Sequence, residues 1–442
     1  MTEPAPNLLE TVVSLCKRRG FVFPSSEIYG GINAVYDFGP LGVRLRRRIR
    51  DLWWRDTVDL RDDVEGVEAA ILMNPAVWEA SGHLSNFSDP LVDCLGECHQ
   101  RFRADQLAGD TCPNCGGPLS PLRQFNLMFK TFIGPVEDGS SVVYLRPETA
   151  QGIFVNFKNV VGSSRQRVPF GIAQIGRSFR NEISTGNFIF RLRELEMMEL
   201  EWFCQPGQDA QWFEYWCGQR MAWHRSLGLC AEHLRLRPHG ENEKAHYALA
   251  SSDIEYAFPW GWGELEGIAR RGDYDLRRHQ EFSGRDLQYT DPNTSERYLP
   301  YVVEPSLGVD RTFLALLLDA YAEEEVRGEK RVVLHLSAAV APFQVAVLPL
   351  SKKPELMEVA RRLEAELRQR FSTEYDDTQS IGRRYRRQDE IGTPIAITVD
   401  FDTLEDHAAT IRDRDTMEQV RVPLERLAAV CAEKLEGVRS ST

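Results

Sequence analysis

Residues 176–201 read GRSFRNEISTGNFIFRLRELEMMELE, and the folding of this stretch decides the architecture around it. Ser184-Thr185-Gly186-Asn187 is turn-forming, with β-branched and aromatic residues on either side. Within 168–203 the pattern predicts a long hairpin, FGIAQIGRSFRNEI outward and NFIFRLRELEMMELEWF returning. The return arm is ambiguous, because Leu, Met, Glu and Arg also favour helices. Arg177, Arg180, Glu182, Arg191, Arg193, Glu194, Glu196 and Glu199 stand among apolar neighbours. In a central hairpin, charge falls on both faces of the return arm. Burying it unpartnered is costly, so these residues must then meet one another, a ligand or a metal. In a surface helix they would form a solvated, ion-paired face instead.

Further out, VRLRRRIRDLWWRDTVD (43–59) places Val43, Leu45, Ile49, Leu52 and Trp53 at near-helical spacing, with arginines on the other face. VEAAILM (67–73) reads as a strand that stops at Asn74-Pro75. Leu307 to Tyr321 predicts a helix with Val309, Phe313, Leu316, Leu317 and Ala320 on one side. After the charged AEEEVRGEKR (322–331) the texture changes to alternating strands and helices. VAVLPL (345–350), PELMEVARRLEAELRQRF (354–371), PIAITVDFD (394–402) and PLERLAAVCAEKL (423–435) predict a separate α/β unit beginning near Ala338.

A chain of 442 residues is long enough for two or three domains. Its 42% hydrophobic and 27% charged residues are ordinary for a globular protein. No apolar run approaches the roughly 18 residues of a membrane span, and MTEPAPNLLE lacks a secretory pattern, so a cytoplasmic location is expected. The net charge of −13 argues against a general nucleic-acid coat protein but leaves room for one basic face.

Four of the nine cysteines stand as Cys94-x3-Cys98-x13-Cys112-x2-Cys115. Such spacing suits a closed, structural Zn²⁺ site of four thiolates, with His99 as a possible substitute ligand. Cys16, Cys204, Cys217, Cys230 and Cys431 are scattered and read as packing residues. IGRRYRRQDEIG (381–392) gathers Arg383, Arg384, Arg386 and Arg387 around Tyr385. Arginines interleaved with an aromatic suit an RNA backbone and an unstacked base; the alternative is a solvated helix face.

The opening stretch resembles the second signature of class II aminoacyl-tRNA synthetases, with Arg180-Asn181-Glu182 in its first half and Phe190, Glu194 and Glu196 in its second. Glu304-Pro-Ser-Leu-Gly308-Val-Asp-Arg311 resembles the third signature, and residues 42–75 ending at Pro75 resemble the first. CKRRGF (16–21), SSEIYGG (25–31), YDFGPLG (36–42), YLRPETAQGIFVNF (144–157), WGELEGIA (262–269) and RDRDTMEQVR (412–421) look like segments of the homodimeric glycyl-tRNA synthetases.

That resemblance implies a catalytic domain over 1–337, an antiparallel sheet flanked by helices. It would carry a zinc-binding insert at 94–120 and a helical insertion at about 205–260, followed by a mixed-sheet α/β anticodon-binding domain over 338–442. It implies a homodimer without membrane attachment. The activity would be formation of glycyl-adenylate from glycine and ATP with Mg²⁺, then transfer to the 3′ end of tRNA(Gly), releasing AMP and pyrophosphate. Arg180 and Arg311 would be catalytic. ATP would meet Arg180, Asn181, Glu182, Phe190, Arg191, Leu192, Arg193, Glu194, Leu195, Glu264, Leu265, Glu266, Gly308, Val309, Asp310 and Arg311. Phe190 would stack on adenine, Arg311 would cover its other face or reach the γ-phosphate, and Glu194 and Glu266 would hold Mg²⁺. Glycine would meet Arg103, Glu148, Leu195, Glu196, Met197, Met198, Glu199, Arg271, Glu304, Pro305, Ser306, Leu307 and Gly308. The rival readings are an ATP-binding paralogue with another substrate and a non-catalytic RNA-binding protein.

Overall fold

The computed structural model describes residues 8–183, 185–240, Glu243, Ala245, 247–326 and 328–437. Ser184 of the expected turn, four residues of the expected insertion (241, 242, 244 and 246), and the outer ends of the two expected domains (1–7 and 438–442) lie outside them.

The first part of the chain forms α1 (Leu8–Arg19), α2 (Pro40–Trp54), β1 (Val64–Gly66), α3 (Ala150–Ser164), β2 (Phe170–Phe179), β3 (Glu194–Cys204) and α4 (Asp209–Ser226). It continues through β4 (Leu234–Pro238), β5 (Ala250–Phe258), β6 (Gly261–Gly272), α5 (Tyr274–Ser283), β7 (Tyr301–Gly308) and α6 (Val309–Ala320), with shorter elements between. The seven strands make one sheet in the order β4-β5-β6-β7-β3-β2-β1, antiparallel except where β1 meets β2.

The return arm is therefore strand β3 from Glu194 onward, while its first residues form a 3₁₀ turn, Phe188–Phe190, instead of continuing the hairpin. The strand pairs with β2 on one side and β7 on the other, so that Glu199 faces Gln174 and Ser306. Two ladders and burial on both faces override the helix preference of its Leu, Met and Glu residues. Strand alternation then sorts its side chains. Met198, Leu200 and Trp202 enter a core with α2, α4 and α6. Phe203 packs on the opposite side with Phe154 and Phe157 of α3, Phe170 and Ile172 of β2, and Leu276 of α5.

Two expectations need correction. VEAAILM is not a strand: the ladder ends with the Val67 N–H bond to the Ala173 carbonyl, and, apart from an isolated bridge between Leu72 and Leu145, side chains hold the backbone beyond. Gln174 accepts from the Ala69 N–H at 2.6 Å, and Arg146 donates to the Ala69 carbonyl at 2.8 Å. Pro75 then opens a short helix, Pro75–Ala80, capped by the Asn74 side chain. Among its described residues the insertion at 205–260 is helical in α4 and in one 3₁₀ turn, Ala231–His233, because β4 and β5 belong to the central sheet. Ile254, Tyr256 and Phe258 alternate with less apolar residues along β5 and deliver one face to the core, a period that a helix cannot use.

The charged stretch after α6 is a hairpin, Tyr321–Val326 with Glu329–Leu334. Beyond it come β8 (Val345–Pro349), α7 (Pro354–Leu367), β9 (Thr373–Tyr375), α8 (Ile381–Ile391), β10 (Ile395–Val399), β11 (Ala408–Asp413), β12 (Gln419–Pro423) and α9 (Leu427–Gly437). Their sheet has the order β9-β8-β10-β11-β12, parallel through the first three strands and antiparallel after. Leu356, Ala360, Leu363 and Leu367 of α7 fill a second core, to which Ala338 also belongs. The two parts are joined by more than the chain. Buried Arg331 of the hairpin donates to Asp389 of α8 at 2.9 Å and to the Arg414 carbonyl at 2.6 Å, and Ile391 packs in the first core. No helix among the described residues is long and apolar enough to cross a membrane.

Candidate active site

One face of the central sheet opens into a cavity of about 350 Å³. Leu195, Met197 and Glu199 of β3, Glu304 and Ser306 of β7, and Glu264 and Ala269 of β6 line its floor. Glu148 before α3, Arg180 after β2, the segment Phe190-Arg191-Leu192, Glu182, and the junction Leu307-Gly308 with Asp310 and Arg311 form walls, and a further side comes from His239, Glu243, Ala245 and Tyr247 before β5 with Ser251 and Asp253 on it. The cavity has an acidic end and a basic end.

At the acidic end three buried carboxylates converge. Glu199 accepts from the Thr149 N–H at 2.5 Å, from the Thr149 hydroxyl, and from the Ser306 hydroxyl at 2.8 Å. Burial and the charge of Glu148 still push its carboxyl above the usual range. Glu148 is buried too, but His83 at 3.3 Å and Arg271 hold it well below that range, with Gln151 donating at 3.0 Å. Glu304 takes Nη1 of Arg271 at 2.8 and 2.9 Å. Burial nevertheless pushes its carboxyl up to about 8, with Glu199 and Glu148 adding like-charge repulsion. Such a cluster is costly when empty and suits a small cation.

At the basic end, Nε of Arg180 donates to the Pro147 carbonyl at 3.0 Å, and its guanidinium lies 5.7 Å from the Phe87 ring centre. Arg311 covers the ring of Phe190 at 4.4 Å and pairs with Glu264 at 3.1 Å, while its Nε donates to the Phe190 carbonyl at 3.1 Å. Gly176 lets Arg146 cross beneath β2, since a Cβ there would sit 2.2 Å from the Arg146 Nη2. Arg146 in turn donates to the Arg177 carbonyl at 2.7 Å and fixes the segment that carries Glu148.

The alternation that builds this floor removes several expected residues from it. Glu194 pairs with Arg177 at 2.8 Å on the other face. Glu196 is there as well, held by Arg50 at 3.2 Å and Arg46 at 3.4 Å. Glu266 is fully buried between Arg220 at 2.6 Å and His224 at 2.8 Å, both from α4. Neither Glu194 nor Glu266 reaches the cavity, which overturns their assignment to Mg²⁺. Met198, Leu265 and Val309 are core residues, and Pro305 is buried opposite Ile268. Asn181 and Arg193 do not line the cavity; Arg193 braces the turn through the Asn33 and Glu182 carbonyls. Arg271 stands behind Glu304, not at the surface of the cavity. Arg103 is held by Asp89 at 3.0 Å and Asp105 at 2.8 Å and is likewise not a lining residue.

The insert carrying Arg103 is built on a three-stranded sheet, Ser88–Asp93 between Arg101–Arg103 and Arg123–Asn126. Beyond it the Sγ atoms of Cys94, Cys98, Cys112 and Cys115 all lie within 4.8 Å of one another. Their closest separations are 3.4, 3.4 and 3.6 Å, near the edge of about 3.8 Å expected for a tetrahedron of thiolates around zinc. The Gly96 N–H donates to the Cys94 sulfur at 3.3 Å. A Cβ on Gly117 would sit 2.8 Å from the Gly96 Cα, so the close approach of the two cysteine turns needs both glycines. His99 is exposed and stands outside the cluster. Of the five scattered cysteines, Cys230 is the exception to packing, being exposed.

The arginines of α8 are mostly committed within the fold. Arg384 is buried and donates to the carbonyls of Pro349 and Gln379. Arg386 pairs with Glu329, and Arg387 pairs with Asp376 at 3.2 Å. Arg383 is exposed. Arg384 is thus a structural clamp and is withdrawn from the expected RNA face.

Sequence reading missed Thr149, Gln151, His83 and Asp275, which hold the carboxylates in place. Thr149 and Gln151 sit inside the quoted YLRPETAQG and could have been found as hydroxyl and amide donors beside Glu148. His83 and Asp275 carry no local signal, because only the fold brings them near.

The family described as "tRNA synthetase class II core domain (G, H, P, S and T)" matches residues 131–321, and "Anticodon binding domain" matches 344–434. The chain is 54% identical to "Glycine--tRNA ligase" of Caldanaerobacter subterraneus subsp. tengcongensis over 98% of this chain and 100% of that protein. It is 54% identical to "Glycine--tRNA ligase" of Clostridium acetobutylicum, covering 97% and 99% of the two chains. Against "Glycine--tRNA ligase" of Treponema denticola the identity is also 54%, over 94% of each.

Proposed function

The chain belongs to the glycine–tRNA ligases, class II aminoacyl-tRNA synthetases, and from that premise we propose how its cavity activates glycine. The enzyme forms glycyl-adenylate from glycine and ATP and transfers glycine to tRNA. The observation that carries the assignment of roles is the polarity of the cavity, the buried carboxylates of Glu148, Glu199 and Glu304 at one end and Arg180 and Arg311, with Arg191 beside them, at the other.

Glycine has no side chain to grip, so its site can hold only the ammonium and the carboxylate. Glu199, Glu304 and Glu148 take the ammonium. That orientation turns the carboxylate toward Arg180, which holds it in line with the α-phosphate. An in-line displacement needs alignment and charge neutralisation more than a covalent catalyst. Guanidinium forks suit both, since each can hold two oxygens. Adenine enters between Phe190 and Arg311. Two van der Waals separations span about 7 Å, so Arg311 must lift from its present 4.4 Å over the ring. Of the other carboxylates that line the cavity, Glu243 and Asp253 pair with Arg237 and Asp310 with Arg46; Glu182 and Glu264 would hold Mg²⁺, which neutralises phosphate charge when bound. We further take the enzyme to be a cytoplasmic homodimer with its domain boundary at Ala338, a residue already in the second core.

Glycine binding should be linked to pH through Glu304. Its carboxyl is raised to about 8, so below that value it is largely protonated in the empty site. An ammonium favours the ionised form and lowers the pKa, so binding releases a proton between the two values. Glycine KM should fall as pH rises toward about 8 and level off above it. A KM that rises over the same interval would remove Glu304 from the ammonium site.

The four thiolates fit a structural zinc, with Cys94, Cys98, Cys112 and Cys115 as its ligands and no open position for substrate. Protein purified without chelator should hold about one zinc per chain. Cys112→Ser should lose that zinc and loosen the insert before ATP binding suffers. Elemental analysis that finds no zinc would end this assignment.

A further inference from the structure

Behind the ammonium site stands an acid that the mechanism leaves unused. Glu201 lies two residues past Glu199 on the same face of β3 and is fully buried. The register sets Glu199 opposite Ser306 and Trp202 opposite Val303, which brings Glu201 level with Glu304 on β7. Neither of its carboxyl oxygens has a hydrogen-bond partner among the described residues.

The charged groups around it are Glu304 on β7, Glu199 on its own strand, Arg271 at the end of β6 and Asp275 on α5. The one cation is committed elsewhere. Nη1 of Arg271 holds both oxygens of Glu304, while Nε and Nη2 hold Asp275 at 2.8 and 2.9 Å. An ionised Glu201 would therefore be an unpaired buried anion beside three more carboxylates, an arrangement that proteins avoid by keeping the proton. Burial and the charge of Glu304 drive its carboxyl far above the usual range.

We propose that Glu201 is a positioning residue of the glycine site, an uncharged acid whose single O–H, without a partner among the described residues in the empty site, turns to Glu304 directly across the ladder when Glu304 ionises to hold the substrate ammonium beside Glu199. A donor placed there stabilises the ionised form of its neighbour and adds no like charge to the pocket. The inference rests on the assignment of the ammonium to Glu199 and Glu304.

The test compares glycine-dependent ATP–pyrophosphate exchange in the full-length enzyme and in E201L, E201Q and E304Q. Loss of the donor in E201L should raise glycine KM on the order of tenfold, with little change in ATP KM. E201Q keeps an uncharged donor and should bring glycine KM back toward the wild-type value. If E201Q instead raises glycine KM as far as E304Q does, Glu201 is an anion and the proposal fails. It fails equally if E201L leaves glycine KM alone, or impairs glycine and ATP use together as a packing defect would. Should E201L not fold, infrared difference spectra of the wild type against E201Q still decide. Beyond the band of Glu304, which both proteins share, the difference should contain one further carbonyl band of a protonated acid at neutral pH, and the absence of that band would overturn the proposal. An unchanged glycine KM in E304Q would remove the ammonium assignment itself, whatever Glu201 does.

Discussion

Arg180→Ala lowers glycine-dependent ATP–pyrophosphate exchange by roughly 10²–10³-fold, the usual loss when a preorganised transition-state contact is removed. The loss should fall mainly on kcat, because charge accumulates on the α-phosphate as the carboxylate attacks. Arg180 is anchored by the Pro147 carbonyl and the Met197 sulfur, so its removal leaves the strands beneath intact. Melting temperature should barely move. Exchange near the wild-type rate would show that the α-phosphate lies elsewhere in the cavity.

Glu199→Gln raises glycine KM by about 10²-fold, from loss of a charge-assisted contact to the ammonium. Its carboxylate is also the acceptor for three donors, the Thr149 N–H and hydroxyl and the Ser306 hydroxyl. A glutamine must turn one amide N–H toward them, and the site loses both charge and order. ATP KM should stay near normal, since Glu199 sits at the far end from Arg311. A variant that weakens ATP and glycine equally would mean that Glu199 is only structural.

How much of this was legible beforehand follows from where each signal lives. Of the residues that the resemblance assigns to ATP or glycine, Arg180, Glu182, Phe190, Glu199, Glu304, Ser306 and Arg311 line one cavity, because a signature motif preserves spacing within one strand or turn. The errors cluster where a motif was treated as a continuous lining. Glu194 and Glu196 are motif residues on the wrong parity, and a period of two sends them to the opposite face; Glu266 shares the parity of Glu264, but a register shift in the β5–β6 ladder, where Ile254 faces Glu266 and Glu255 faces Glu264, turns it away from the cavity. Parity was unreadable while GRSFRNEISTGNFIFRLRELEMMELE could still be half helix; only pairing with β7, about 100 residues later, settles it. Arg384 failed for another reason, since a helix face cannot be oriented before its neighbours are known. The four cysteines needed none of this context, because metal-ligand spacing is local and its chemistry specific.

Steric exclusion completes the account of selectivity. Alanine presents the same ammonium and carboxylate, so attraction cannot reject it and only the lack of room for a methyl can. Glycine has no smaller amino-acid competitor, so a pocket that refuses bulk needs no editing step. The most direct test is ATP–pyrophosphate exchange with the unmodified enzyme and each of the twenty amino acids in turn. Glycine should stimulate exchange, in a Mg²⁺-dependent manner, and alanine should not. Alanine stimulation comparable to that of glycine would contradict the account.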